Sequence, residues 1–296
     1  MKIKDKLSCS TPEMVKYSLG ACTESLVLNS FFGFSMVYYT KALGLAPQMA
    51  GIATFVAAFW DAVSDPVMGH ISDNTKSRFG KRYGYMVLGG ILMVVSFFFI
   101  WYVPAFFKTE LVIGSINISA MTMLFAYLVM MNLILRTAYT IFVVPLTALG
   151  FEICTDYDGR SKLQGIRFAL NMAANLLGPA MAWYIFFPNN KPGQIQDTQI
   201  AQNYISMGSI FTVCSFVLLL LMLFFMAKHI KDSRDDKNCQ INFRAFFKDM
   251  KGIVSDPYPR WVFVFMFFGL LGFVLVSGLQ MFVLSLGTSL WKFIRC

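Results

Sequence analysis

The chain has 296 residues, of which 57% are hydrophobic and 14% charged, and its formal net charge is +9. A soluble domain carries about 25% charged residues, whereas five stretches here, 42–60, 83–107, 168–190, 198–227 and 261–291, hold no Asp, Glu, Lys or Arg. Each reaches or approaches the roughly 20 apolar residues that cross a bilayer, which excludes a soluble globular domain and points to a multi-pass all-α membrane protein.

Seven spans follow in chain order, near 17–40, 47–72, 83–105, 120–150, 166–187, 204–228 and 260–286. The segment before the first, MKIKDKLSCSTPEM, has no apolar core, so no cleaved leader is expected. The first span carries Glu24 and Asn29, and GLAPQ turns the chain into the second. That span ends in WDAVSDPVMGH, where Asp61 and Asp65 fall four residues apart and Pro66 predicts a kink. A basic loop, DNTKSRFGKRYG, leads to the third span. The fourth places Arg136, Tyr139, Thr140 and Val143 on one helical stripe. The fifth repeats polar residues every four positions, at Arg167, Asn171 and Asn175. After the sixth, residues 227–260 form a long basic loop whose INFRAFFKDM piece reads as an interfacial helix. The domains read as 1–229, a six-helix half; 230–259, a linker; and 260–296, the first helix of an incomplete second half.

The basic residues are sorted by side. Nineteen of the 25 Lys and Arg flank the N-terminus and the even-numbered loops, five lie opposite, and Arg136 is within a span. This asymmetry puts the N-terminus in the cytoplasm of a plasma or inner membrane. The positive charge orients helices and does not call for nucleic acid. The six cysteines show no CxxC pair or disulfide-like spacing.

Charges inside spans are costly and usually face a cavity. Counting ~1.5 Å per residue from the cytoplasmic ends sets Asp61 level with Thr140 and leaves Arg136 near the midplane. Two carboxylates four residues apart project from one helix face and repel unless a cation or a proton neutralises them. Hard Na+ prefers such oxygen ligands, so Asp61 and Asp65 read as a coupling-cation site, with no other metal or cofactor expected. The competing reading is that Arg136 merely neutralises them, although two acids against one base leave a surplus. For Arg136 and Glu24, cavity lining and structural ion pairing stay equally open.

FWDAVSDPVMGHISDNTKSRFGKR resembles the second helix and following loop of the glycoside–pentoside–hexuronide:cation symporters of the major facilitator superfamily. YYTKALGL and TAYTIFVVPLTALGFEICTDYDGRSKLQGIR resemble the same family, and the likeness covers roughly 15–280. It implies a facilitator-type N-terminal six-helix bundle plus a seventh helix, and cation-coupled symport of sugars or glycosides by alternating access. It implies that Asp61 and Asp65 bind Na+ or H+ with oxygens from Ser64 and Thr140, and that Arg167 lies near the sugar. It also implies an inner gate formed by Gly69, Asp73, Arg78, Lys81 and Arg82. Glu24 with Ser25, Arg136, Tyr139, Val143 and Asn171 complete the expected solute site. Departures concentrate there: Val143 stands where the melibiose-carrier group has a sugar-binding aspartate, Thr147 where it has a tryptophan, and Arg136 where it has a small residue. Arg136 would suit an acidic sugar such as a hexuronide.

Two other readings compete. Family members have about twelve helices, so the chain reads as a truncated fragment, inactive or completed by association with another chain. An intramembrane Mg2+-dependent transferase would use D61xxxD65 and G69xxxD73, yet no other span supplies the second acidic motif it needs.

Overall fold

The computed structural model describes residues 10–75, 82–113, 116–188 and 197–227, together with 252, 255–262, 264–265 and 268–269. The chain divides into two compact units, residues 1–240 and 241–296. In the first, six long α-helices run as α1 Thr11–Val37, α2 Pro47–Asp73, α3 Tyr83–Trp101, α4 Ala120–Ile153, α5 Tyr157–Phe186 and α6 Ala201–Met226. In the second, the described positions 257–262, 264–265 and 268–269 are helical. The remainder of the seventh span and the INFRAFFKDM segment lie outside the described residues.

Most boundaries follow from local chemistry. At the start of α1 the Ser10 N–H donates to the Glu13 carboxylate at 3.3 Å, half of a capping box. The helix therefore begins six residues before the apolar stretch at 17, in sequence too polar to register as a span. Its far end widens into a π-helical turn, Tyr38–Ala42, and stops at Gly44, whose φ of 77° is the left-handed conformation that glycine adopts freely. Pro47 opens α2, which continues as helix through Pro66 to Asp73. Helix α5 starts nine residues ahead of its expected position. Asp156 caps it by accepting the Gly159 N–H at 2.6 Å, so the charged turns 157–165 are helical as well. A short antiparallel hairpin, β1 Leu111–Ile113 with β2 Ile116–Ile118, is inserted between α3 and α4.

By length and composition α3, α4 and α6 are apolar enough to cross a membrane. Helices α3 and α6 carry few polar side chains, whereas α1, α2 and α5 bear acids, amides and hydroxyls of the site and α4 adds Arg136 and Thr140. Within the bundle α1 packs on α5 and α6, α4 packs on α2 and α3, and α3 meets α6. The arrangement is symmetric in exchange: α2 rests mainly on α4 just as α5 rests mainly on α1. Both helices therefore keep broad apolar faces exposed, for example Phe55 and Phe59 on α2 and Leu176 and Tyr184 on α5.

Two devices fix the packing. At one end of the bundle a buried aromatic cluster joins α1, α3, α5 and α6. Its ring centroids lie 4.9 Å apart for Tyr38 and Tyr204, 5.7 Å for Tyr38 and Trp101, and 4.7 Å for Phe187 and Tyr204. The phenols are anchored as well, Tyr38 donating to Trp101 O at 2.8 Å and Tyr39 to Ile100 O at 2.9 Å. Midway, Gly89 of α3 lets the α4 backbone approach: a Cβ there would stand 2.6 Å from Phe142 N and 2.8 Å from Ile141 C. Small residues permit this closeness where bilayer helices are held by packing rather than by a hydrophobic drive. Gly89→Val is expected to destabilise the bundle by about 1–3 kcal/mol, read as a lower unfolding temperature in detergent. Gly51→Val, with open space around it, serves as the comparison.

Candidate functional site

Helices α2 and α4 run parallel, with Asp61 opposite Arg136 and Asp65 opposite Thr140. Arg136 Nη1 donates to Asp61 Oδ2 at 2.8 Å, and the Thr140 hydroxyl donates to Asp65 Oδ1 at 2.7 Å. Trp60 Nε1 donates to Thr137 Oγ1 at 2.8 Å, and Asn132 Nδ2 to Ala53 O at 3.4 Å, along the same seam. The depth count is thereby corrected by one turn: Arg136, not Thr140, stands level with Asp61. Counting assumed that both helices end on one plane, but thirteen residues of α4 follow Thr140 while eight of α2 follow Asp65.

The expected cation ligands do come together. Ser64 Oγ lies 3.4 Å from Thr140 Oγ1 and 3.5 Å from Asp61 O, so Asp61, Ser64, Asp65 and Thr140 share one patch. The two aspartates have different surroundings. Asp65 is exposed and meets a hydroxyl; Asp61 is partly buried and meets a guanidinium. Asp61 Oδ1 is buried with no hydrogen-bond partner, a deficit of about 1–3 kcal/mol that a cation would relieve. This set of hard oxygens fits a small monovalent ion. Among the described residues no cluster of three or more His, Cys, Asp or Glu exists to hold a metal.

Arg136 is only 7% exposed and is held from two sides, by Asp61 and by the Phe32 ring of α1, 4.6 Å from its guanidinium carbon. Its charge is thus met, although Nε is buried without a partner.

The expected solute residues divide into two groups. Glu24, Ser25, Arg167 and Asn171 meet between α1 and α5. Arg167 Nη2 pairs with Glu24 Oε2 at 3.2 Å, and its Nη1 reaches Thr147 of α4 at 3.2 Å, so one guanidinium links three helices. Nearby, Ser25 Oγ donates to Asn171 O at 3.1 Å, Asn29 donates to Ser25 Oγ at 2.7 Å, and Asn171 donates to Ala21 O at 3.4 Å. Tyr139 and Val143 are partly buried and pack against the core.

Of the expected gate, Arg82 pairs with Asp73 at 2.7 Å and Gly69 sits against Val144 of α4, while Arg78 and Lys81 lie outside the described residues. Sequence reasoning missed Glu152, which meets Arg82 at 2.8 Å and extends the clasp to the end of α4. As the single acid in the long α4 segment, it could have been singled out as a partner for the basic loop.

The helical architecture agrees with the comparisons. The family described as MFS/sugar transport protein matches residues 17–286, and the chain belongs to it. It is therefore a membrane protein of a transporter family, not an enzyme. The chain is 27% identical to an uncharacterized symporter of Synechocystis sp. over 69% of its length and 35% of the relative's. It is 24% identical to the mouse sodium-dependent lysophosphatidylcholine symporter 1, over 93% of its length and 53% of the relative's. The third, the inner membrane symporter YicJ of Escherichia coli K12, is 26% identical over 58% and 35%. The chain spans about half the length of these relatives or less.

The Glu24 and Arg167 side chains are each 14% exposed. Removing one partner strands the other charge, so Glu24→Met is expected to cost about 3–5 kcal/mol. Glu24→Met/Arg167→Met should recover most of that loss in detergent unfolding.

Proposed function

We propose that the chain works in cation-coupled symport of a sugar or glycoside, with Na+ or a proton bound at Asp61, Asp65, Ser64 and Thr140. The observation that carries this reading is the unequal charge count on the α2–α4 seam, where, among the described residues, two carboxylates of one helix face have one base, Arg136, which pairs with Asp61 alone. An added cation completes that count. The solute would bind along the polar face of Glu24, Ser25, Arg167 and Asn171, beside Arg136 and Tyr139. The Asp73–Arg82–Glu152 clasp would open and close the cytoplasmic side in alternating access. In this reading the N-terminus is cytoplasmic, the protein resides in the cell's plasma or inner membrane, and further transporter helices complete the pathway, contributed by another chain if need be.

A second reading has one observation of its own. A nearly all-apolar groove of about 420 Å3 runs between α1, α5 and α6, lined by Cys22, Leu26, Leu170, Leu177, Ile210 and Phe211. It adjoins the Ser25–Asn171 contact, so an amphiphile could set its head on the polar face and its chain in the groove. The lysophosphatidylcholine symporters among the relatives make that solute class worth testing. Binding of labelled lysophosphatidylcholine that is displaced by unlabelled lysophosphatidylcholine but not by sugars would favour it.

The cation site is tested by calorimetric titration of the purified chain with Na+. Saturable binding is expected, abolished in Asp65→Asn and weakened by about tenfold or more in Thr140→Val, because a hydrogen bond to a charged group contributes roughly 1.5–3 kcal/mol. The reading fails if Na+ gives no saturable heat and Asp65→Asn leaves proton uptake by the protein unchanged.

A further inference from the structure

The Arg136–Asp61 pair is made and yet incomplete. Each partner is held by one 2.8 Å contact, and each keeps a buried polar atom, Nε of Arg136 and Oδ1 of Asp61, without a hydrogen-bond partner. Among the described residues Asp61 is the ion-pair partner that Arg136 has. The guanidinium cannot lose its proton, so whatever removes it from Asp61 must be answered by another anion. Phe32 supplies a platform that does not depend on Asp61, its ring 4.6 Å from the guanidinium carbon and attractive to a cation. Four residues further along α2, Asp65 accepts from the Thr140 hydroxyl at 2.7 Å, its one partner among the described residues. Positions four apart on a helix stand about 6 Å apart between Cβ atoms, so a cation at Asp65 lies within reach of Asp61 and repels Arg136.

We propose that the Arg136–Asp61 pair is a charge-exchange switch: the coupling cation takes Asp61 from Arg136, and the released guanidinium binds the carboxylate of an acidic sugar. The proposal rests on the cation-site reading above and adds the solute class and the coupling route. With the pair closed, the seam holds one positive and two negative charges. With the cation bound and Arg136 released, the two aspartates share the cation and Arg136 faces the solute carboxylate, so the two ligands enter together without changing the net charge, the cation taking the arginine's place at Asp61 and the carboxylate taking the aspartate's place at Arg136. Cation and anionic solute each favour the open pair, and by linkage each raises the other's affinity by the same factor. A neutral sugar has no such leverage, because it gives the released guanidinium no counter-charge.

The test is calorimetric titration of the purified full chain with Na+ at constant ionic strength, alone and with glucuronate or glucose present. Glucuronate should raise Na+ affinity several-fold, and glucose should leave it unchanged. Arg136→Ala should bind Na+ on the order of tenfold tighter without any sugar, since a competing positive charge is gone, and should lose the response to glucuronate. Asp61→Asn, which releases Arg136 permanently, should bind glucuronate without Na+, so the proposal stays testable if Arg136→Ala does not fold. Na+ affinity in Arg136→Ala equal to or below that of the unaltered chain overturns the switch. If Asp65→Asn still loses Na+ binding in that case, the cation site stands alone. Na+ binding in neither the unaltered chain nor Arg136→Ala, together with proton uptake that Asp65→Asn leaves unchanged, overturns both readings.

Discussion

A guanidinium midway along a hydrophobic helix must be matched, and in this bundle Asp61 matches it. Helix α4 carries Arg136 at a depth where an isolated charge is costly to insert, so the position of its partner determines which helix lies beside it and in what register. The 2.8 Å contact to Asp61 selects α2, aligns the two helices in parallel, and brings Asp65 to Thr140 one turn further along. The symmetric counterpart lies across the bundle, where Glu24 of α1 meets Arg167 of α5. The two most polar helices, α2 and α5, are thus each attached to a core helix by an ion pair, while α3 and α6 pack through apolar surface and close glycine contacts.

This arrangement explains which part of the molecule was readable in advance. Charge-free runs located the helices, because a bilayer sets both their length and their apolarity. The runs failed where helix continues into water: the capped, charged first turns of α1 and α5 have no apolar signature, and only Ser10 with Glu13 and Asp156 with Gly159 mark them. The four-residue spacing of Asp61 and Asp65 identified their face, since side-chain direction on a helix follows from period alone. Level between helices did not follow, because a chain does not encode where two helices slide to rest until their side chains interlock.

The solute side was less legible for the same reason. Glu24 was open as a cavity residue or an ion-pair partner, and Arg167, far away in sequence, was expected near the solute; the fold pairs the two and adds Thr147, a residue whose sequence signal was only a departure from the family pattern. Glu152 was overlooked because its partner, Arg82, is one of several basic residues in its loop, and composition does not show which one turns toward α4. The β1–β2 hairpin is too short for alternation to distinguish it from a loop.

The repeat along the α2–α4 seam is four residues on both sides, with Asp61 and Asp65 on one helix and Arg136 and Thr140 on the other. Two rulers with the same division can be aligned at more than one mark. Sliding α2 along α4 by one helical turn, about 5.4 Å, would carry Asp65 to the level of Arg136 and leave the hydrogen-bonding geometry of that contact available at the new position. The repeat by itself therefore does not single out one register; the Trp60–Thr137 and Asn132–Ala53 contacts, which a one-turn slide would break, are what distinguish the observed alignment.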